Sequence, residues 1–179
     1  MAMRPLPDAD YLRQCLSYNP DTGDLRWKER PPSHFKQPSA AKVWNRRYAG
    51  SPIKRYKGQR YPTLAVNGVT NFLAHRIIWK MMTGTDPTEE VDHEHGDRDN
   101  LRWEYLRAAA RSQNTKNRRA NHGCAVDLKG VIVKGRRYGA QISADKKHYW
   151  LGTFDTPEQA HAAYCEAAKR LHGEFFNPG

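Results

Sequence analysis

The sequence predicts an α+β protein assembled from small modules rather than from one large domain. Its 179 residues are 38% hydrophobic and its mean hydropathy is strongly negative, which argues against a single large apolar core. Short strand-like runs alternate with helical patterns, and turn-forming residues separate them. We expect a basic, strand-rich N-terminal region (residues 1–52), a small mixed module (53–119), a linker (120–127), and a three-stranded antiparallel sheet packed on one helix (128–179).

The N-terminal region is predicted to begin with a helix, a turn and a strand. Asp8 is placed to cap a short helix whose apolar face carries Leu12 and Leu16. The run YNPDTG at 18–23 is typical of a turn, and DLRWKE is expected to form the strand that follows. Residues 31–52 are rich in proline and serine, so we expect an irregular basic loop there.

The central module is predicted to contain a hairpin, a helix, a second strand and a short helix. The runs RYPTLAV and TNFLA flank Asn67-Gly68, a strong signal for a two-residue hairpin turn. The run HRIIWKMM has the spacing of a short helix, and Gly84 is placed to end it. A strand ending at Val91, a polar turn and a short helix in RSQNTKNRR complete this module.

The charge of the chain predicts a polyanionic partner. Thirty Lys and Arg against 19 Asp and Glu give a net charge of +11, and nucleic acid is the commonest polyanion. No acidic residue occurs between Glu29 and Asp86, and aromatic side chains are interspersed among the cations there. A solvated basic surface is the simpler alternative. The candidate nucleic-acid contacts in this interval are Arg46, Arg47, Lys54, Arg55 and Lys57.

The hydropathy of the chain gives no sign of a membrane partner. No apolar run approaches the ~20 residues that a bilayer-spanning helix needs, and the first residues lack the apolar stretch of a secretion signal. We therefore expect a cytoplasmic protein. No obligatory protein partner is evident, so a monomer is expected.

The segment VDHEHGDRDN, residues 91–100, concentrates carboxylates and histidines in this basic chain. A carboxylate at a strand end can face an amide in the first turn of a following helix, so Asp92 and Asn114 are candidate ligands of a hard cation such as Mg²⁺. His93 is placed to take a proton from water that attacks phosphorus. The metal would stabilise the leaving oxygen.

Five motifs follow one another along this part of the chain: YNPDTGDLRWKER, WNRRYAG, AHRIIWKMMTG, VDHEHGDRD and LRAAARSQNTKNRR. Through these motifs, in this order, residues 25–119 resemble the HNH endonucleases of phages and mobile elements. It implies a ββα-metal nuclease module with His93 as general base and with Asp92 and Asn114 as ligands of one divalent ion, Mg²⁺ or another such as Mn²⁺. It also implies double-stranded DNA as the substrate and, for a phage-encoded enzyme, the cytoplasm of a bacterial host.

The chain departs from this family's pattern at the middle asparagine. Relatives usually read close to DHINGDRSDNRIENLR, whereas this chain reads DHEHGDRDNLRWEYLR, so Tyr105 stands in that place. Tyrosine cannot reproduce the amide hydrogen bonds that brace the histidine loop, although Asn100 could brace it by a shifted route. This departure leaves open a non-cleaving DNA-binding regulator derived from a decayed nuclease, and RNA is a less favoured substrate. The side chains expected to support the site or contact phosphate are His75, His95, Asn100 and Asn117.

The C-terminal segment predicts three antiparallel strands followed by a helix. The runs GVIV, YGAQIS and HYWLGTF are separated by basic turns, and TPEQ at 156–159 combines a capping box with proline at the first helical position. The helix would cover one face of the sheet and leave the other free to enter a DNA major groove. The residues at helical spacing are Ala160, Ala163, Tyr164, Ala167 and Leu171.

The C-terminal segment contains the motifs LKGV, YGAQI, YWLGTFDTPEQAHAAY and EAAKRLHGEFFN. Through these motifs, residues 128–177 resemble the APETALA-two/ethylene-response-factor DNA-binding domain, although Ile132 replaces the usual arginine after Gly-Val. The resemblance implies that the sheet lies on DNA and that the whole chain is a targeted endonuclease of the phage homing type. For Tyr138 and Trp150, packing on the sheet is an equal alternative. The implied DNA contacts are Lys134, Arg136, Arg137, Tyr138, Gln141, Lys147, Tyr149 and Trp150.

Overall fold

The computed structural model describes residues 4–117 and 126–178. The chain divides into two compact units, Met1–Ala109 and Ala110–Gly179, and each has its own cluster of buried apolar side chains. The architecture mixes α-helices with small antiparallel sheets, as predicted. Most of the predicted linker, 120–127, lies outside the described residues.

In the first unit, helices alternate with two-stranded sheets. β1 pairs with β2, β3 with β4, and β5 with β6, all antiparallel. The elements are α1 (Ala9–Cys15), β1 (Leu16–Asn19), β2 (Asp24–Trp27), α2 (Ala40–Tyr48), β3 (Thr63–Val66), β4 (Val69–Leu73), α3 (Ala74–Thr83), β5 (Glu90–His93) and β6 (Leu106–Ala109).

The cap and helix predicted at the start of the chain are confirmed. The helix is shorter than predicted, because Leu16 begins β1, and this strand extends to Asn19, inside the predicted turn. The Asp8 carboxylate accepts hydrogen bonds from the backbone N–H groups of Asp10 (2.9 Å) and Tyr11 (3.1 Å), which satisfies the first turn of α1. A turn joins β1 to β2, and β2 is shorter than predicted because it ends at Trp27. Leu12 is fully buried, and so are the neighbouring leucines of β1 and β2.

The hairpin and helix predicted for the central module are also confirmed. Asn67 (φ 53°) and Gly68 (φ 76°) both adopt the left-handed backbone that a type I′ turn requires. α3 buries Ile77 and Ile78 completely, and it ends at Gly84, whose φ is 79°.

The prediction of an irregular loop over residues 31–52 is wrong, because α2 lies within it. The side chain of Trp44 packs on Trp27 with ring centroids 5.1 Å apart, and the guanidinium of Arg30 lies 5.0 Å from the Trp44 ring. The Asn45 amide donates to the Arg30 carbonyl (2.9 Å) and accepts from the Arg30 N–H (3.0 Å). These contacts link residues 14 or more positions apart, so local composition does not reveal them.

The strand predicted to end at Val91 continues to His93. β5 and β6 pair so that Asp92 lies opposite Arg107 and His93 lies opposite Leu106. Both candidate catalytic residues therefore lie on regular strand backbone rather than in the turn that follows it.

The second unit contains the predicted three-stranded sheet and its helix. The strand order is β7-β8-β9, and the buried Tyr164, Ala167 and Ala168 of α5 form a core cluster with Ile142 of β8. The Thr156 hydroxyl accepts from the Gln159 N–H (3.3 Å), as the capping prediction requires. The elements are α4 (Arg111–Lys116), β7 (Val131–Lys134), β8 (Arg137–Ala144), β9 (Lys147–Phe154) and α5 (Pro157–His172).

Across the described ranges 4–117 and 126–178, every helix is too short or too polar to cross a lipid bilayer.

Candidate active site and nucleic-acid interfaces

Asp92 and His93 are the last two residues of β5, and both are buried. Their exposed fractions are 5% and 4%. Adjacent strand residues project to opposite sides of the strand, so the carboxylate and the imidazole occupy different surroundings. Asp92 lies opposite Arg107, whereas His93 is part of a cluster of aromatic rings.

The Asp92 carboxylate is held by Arg107, a residue that the sequence did not single out. The Arg107 guanidinium donates to Oδ2 of Asp92 from Nη2 at 3.2 Å and from Nε at 3.3 Å. A buried carboxylate needs such a partner to remain ionised at acceptable cost. A basic residue opposite an acidic one in a hairpin is a signal for this pair, but only once the strand register is known.

His93 lies in a cluster with His75 and Tyr61. The His75 ring meets the His93 ring edge-on with centroids 4.8 Å apart, and the Tyr61 ring stacks on His93 at 6.0 Å. Tyr61 also lies 5.3 Å from His75. Within the described part of the chain, Nδ1 of His75 is buried without a hydrogen-bond partner. The rings of His75 and Tyr61 limit how the His93 imidazole can turn.

Burial keeps both histidines neutral. It lowers the pKa of His93 to about 4, with the Arg98 charge acting in the same direction and the Asp97 and Asp99 charges opposing it. It lowers the pKa of His75 to about 3, with further contributions from His93 and Arg76. At pH 7 the His93 ring is therefore unprotonated, which is the form that can accept a proton.

Two arginines lie on the Tyr61 ring of this cluster. The guanidinium carbons of Arg98 and Arg60 lie 5.1 and 5.5 Å from the Tyr61 ring centroid. Arg55, a predicted nucleic-acid contact, forms an ion pair with Asp99 at 2.6 Å, and the predicted contacts Lys54 and Lys57 are exposed. Neither Arg60 nor Arg98 was among the candidate contacts from the sequence. Arg60 adjoins Tyr61, and Arg98 lies within VDHEHGDRDN.

The loop after β5 is braced mainly by its backbone. The Gly96 N–H donates to the His93 carbonyl (2.8 Å), and the Glu94 N–H donates to the Tyr105 carbonyl (2.9 Å). The Tyr105 ring lies 5.0 Å from the exposed His95 ring. Asn100 Oδ1 accepts from the Arg102 N–H at 3.3 Å, so an asparagine side chain does take part in this loop.

Asn114 and Asn117 belong to the second unit. Asn114 lies in α4, and its N–H donates to the Ala110 carbonyl at 3.0 Å. Asn117 is buried, and its Oδ1 accepts from Nδ2 of Asn177 at 3.1 Å, which connects the end of α4 to the C-terminal segment. Within residues 4–117 and 126–178 no group of three or more His, Cys, Asp or Glu side chains could hold a metal ion. The predicted ligand pair, Asp92 and Asn114, has only one side chain of these four types. The absence of such a group therefore does not test this pair.

The sheet of the second unit has an outer face opposite α5. Gln141 pairs with Trp150 and Lys134 pairs with Arg137, so these four side chains share that face. Trp150 is 49% exposed, and the Lys134 ammonium lies 4.4 Å from its ring centroid. A Cβ atom at Gly139 would come within 2.3 Å of the Trp150 ring, so glycine there allows the ring to lie across β8.

The strand register places two of the predicted DNA contacts on the other face. Tyr138 pairs with Val133, and Tyr149 pairs with Ile142, whose side chain packs against α5. Arg136 lies exposed in the β7–β8 turn, and Lys147 lies exposed at the start of β9. Arg137 also forms an ion pair with Asp155 at 3.0 Å.

One family comparison places this geometry in context. A family model described as HNH endonuclease matches residues 72–116, a segment that includes β5, β6 and α4. Over that segment the chain is similar to HNH endonucleases, and the match indicates a nuclease. No solved structure matches the chain.

Proposed function

We propose that the protein is a DNA endonuclease that hydrolyses phosphodiester bonds with the help of one divalent cation. The observation that carries the proposal is the position of Asp92 and the neutral, buried His93 on β5, inside the segment that matches HNH endonucleases. A carboxylate next to an unprotonated imidazole is the combination that metal-assisted phosphoester hydrolysis requires.

His93 is the proposed general base. Its imidazole accepts a proton from a water molecule while the water oxygen attacks phosphorus, and the bond from phosphorus to the leaving oxygen breaks. The His93 ring is neutral at pH 7 because burial lowers its pKa to about 4. Contacts with His75 and Tyr61 hold the ring in one orientation, which keeps the accepting nitrogen aimed at the water.

Asp92 and Asn114 are the proposed ligands of the cation. A carboxylate oxygen and an amide oxygen suit a hard ion such as Mg²⁺ or Mn²⁺. When bound, such an ion offsets the negative charge that develops on the leaving oxygen. Because Arg107 donates to Oδ2 of Asp92, the ion would share this carboxylate with the guanidinium or displace it.

Arg60 and Arg98 are the proposed contacts of the scissile phosphate. Their guanidinium groups lie on the Tyr61 ring next to His93. Guanidinium groups bind phosphate oxygens through two parallel N–H donors, which positions the phosphorus as well as neutralising its charge.

The second unit is the proposed targeting module, in the manner of a phage homing enzyme. Its outer sheet face carries Lys134, Arg137, Gln141 and Trp150, a combination of cations, an amide and an aromatic ring that suits phosphate and base contacts. Double-stranded DNA is the proposed partner of this face, bound by a single copy of the chain.

A second candidate is a DNA-binding regulator that does not cleave. Two observations favour it: Tyr105 stands where the family has its middle asparagine, and Arg107 already occupies the Asp92 carboxylate. This candidate retains the proposed DNA-binding surfaces and lacks the hydrolytic step.

Incubation of the purified chain with phage-length DNA, with Mg²⁺ or with EDTA, separates the two candidates. We expect cleavage that requires the metal and falls by about 10²- to 10⁴-fold in His93→Ala, the usual contribution of a general base. The His93→Ala protein should still shift the mobility of the DNA, which serves as its folding control. A mobility shift without cutting by the unmodified chain would assign the regulator instead.

A further inference from the structure

We propose that α2 is a DNA-reading helix whose exposed face enters the major groove and contacts base edges. The exposed face consists of Lys42, Val43, Arg46 and Arg47. The inference uses the proposed function only in taking double-stranded DNA as the ligand, and it does not require that the protein cleave it.

The two faces of α2 differ in chemistry. Ala41, Trp44 and Asn45 face the protein: Ala41 is 4% exposed, and the other two are half-buried. The remaining face carries side chains at i, i+1, i+4 and i+5, which lie together on one side of a helix. These four are all exposed, and they are Lys42, Val43, Arg46 and Arg47.

α2 is fixed to the rest of the first unit at both its middle and its end. The Asn45 amide makes two hydrogen bonds with the backbone of Arg30. After the helix, the Gly50 N–H donates to the Trp27 carbonyl (2.8 Å), and the Trp27 N–H donates to the Ser51 carbonyl (3.0 Å). A nine-residue helix held in this way presents its outer face with a defined orientation, which base recognition requires.

Val43 has no evident role in folding. Its exposed fraction is 66%, the highest among the large exposed hydrophobic residues of the described part of the chain. Valine also lowers helix propensity relative to alanine or lysine because its side chain branches at Cβ. An exposed apolar group among cations is suited to contact the methyl group of thymine.

The cations of α2 are available to a ligand. In the described part of the chain, no hydrogen bond or ion pair occupies the side chains of Lys42, Arg46 and Arg47, and the Arg47 guanidinium rests 5.3 Å from the Tyr48 ring. Arg46 and Arg47 gain some stabilisation from the C-terminal end of the helix dipole. Lys42 lies too far from the C-terminal end of the helix to gain this stabilisation. It also lies four residues from Arg46, a spacing at which like charges repel. A polyanion on this face would relieve that repulsion.

The dimensions and side chains of α2 suit a major groove. An α-helix with its side chains is about 10–12 Å in diameter, and the major groove is about 12 Å wide, so a helix such as the nine-residue α2 can enter it. Arginine reads guanine through two hydrogen bonds, and a valine methyl contacts thymine. We therefore assign base contacts to Arg46, Arg47 and Val43, and a phosphate contact to Lys42.

Selection from a duplex DNA library with a randomised centre, in EDTA so that no cleavage occurs, tests this assignment. Arg46→Lys and Arg47→Lys retain the charge but lose the two-bond geometry, so each should relax the selected sequence at one base pair. Each should also weaken binding to the preferred sequence by about 5- to 150-fold. Val43→Ala, which favours the helix, should relax preference at a thymine-containing pair. Lys42→Ala should weaken binding to all sequences and reduce the salt dependence.

Arg170→Ala is the matched control, because it removes one exposed charge from α5 and should leave the selected sequence unchanged.

Three results would overturn the proposal. The first is unchanged sequence preference in all three base-contact variants, and the second is equal α2-dependent binding to duplex RNA, whose major groove is too narrow for a helix. The third is that the α2 variants bind phosphatidylglycerol vesicles less well than the unmodified chain does while their binding to DNA is unchanged. If sequence preference depends on α2 but the unmodified chain never cuts DNA, this inference stands and the proposed nuclease function fails.

Discussion

At the residue scale, the chemistry of His93 follows from its surroundings. Burial removes the water that would stabilise the protonated ring, so the pKa falls to about 4 and the ring is neutral at pH 7. The unprotonated ring is the form that the proposed role as general base requires.

The buried histidines predict that the folded state is destabilised in mild acid. The pKa values of His75 (about 3) and His93 (about 4) lie below their ordinary value of 6.5, so the unfolded chain binds more protons between these limits. Stability is fully present above pH 6.5 and is lost as the pH falls towards 3, by about 1.4 kcal/mol per pH unit for each histidine. Urea unfolding at a series of pH values measures this slope.

His75→Phe removes one of these titrations while it retains a ring in the cluster. Below pH 6.5 the free energy of unfolding should fall less steeply with decreasing pH than in the unmodified chain. The difference in slope should be about that of one histidine. His95→Gln is the control, since His95 is exposed. Equal slopes in the unmodified chain and in His75→Phe would mean that burial of His75 does not shift its titration.

Some of the candidate site could be predicted residue by residue, and some could not. Asp92 and His93 were singled out because carboxylates and histidines are concentrated in one short run of a basic chain. Arg107 and Tyr61 were not, because their contacts with Asp92 and His93 depend on strand register and on tertiary packing. The proposed metal-binding role of Asn114 stays a prediction.

At the scale of single elements, the helices and strands that were predicted correctly are those that local sequence determines. The hairpin at Asn67-Gly68 and the capped helix α5 were predicted because turn and cap chemistry are local. α2 was missed because its stability depends on Trp44 and Asn45 contacting Trp27 and Arg30. A segment rich in proline and serine can therefore still contain a helix where tertiary contacts stabilise it.

The outer sheet face of the second unit predicts a measurable salt dependence. Lys134→Ala should weaken DNA binding uniformly across sequences, because a phosphate contact carries no base information. The slope of log binding constant against log salt concentration should fall by about one. Fluorescence anisotropy at several salt concentrations measures both quantities.

Arg170→Ala is again the matched control, because it removes one charge from the helix rather than from the sheet face. An identical change of slope in the two variants would show that net charge, not a contact at Lys134, accounts for the effect.

At the scale of the whole molecule, the family match indicates a nuclease, as the order of motifs predicts, whereas the polyanionic partner expected from the charge stays a prediction. The net charge of the chain is +11, and α2, the ring cluster around His93 and the outer sheet face each carry lysine or arginine side chains. The HNH endonuclease match spans 72–116, a segment that includes both Asp92 and Asn114. We propose that the active site requires both residues.

A crystal structure of the full chain with duplex DNA and Mn²⁺, with anomalous diffraction to locate the metal, tests this requirement most directly. We expect one Mn²⁺ ion bonded to an Asp92 oxygen, the Asn114 amide oxygen and a DNA phosphate, with the His93 ring beside that phosphate. A DNA complex in which Asp92 retains only Arg107 and no anomalous peak lies next to His93 would contradict it.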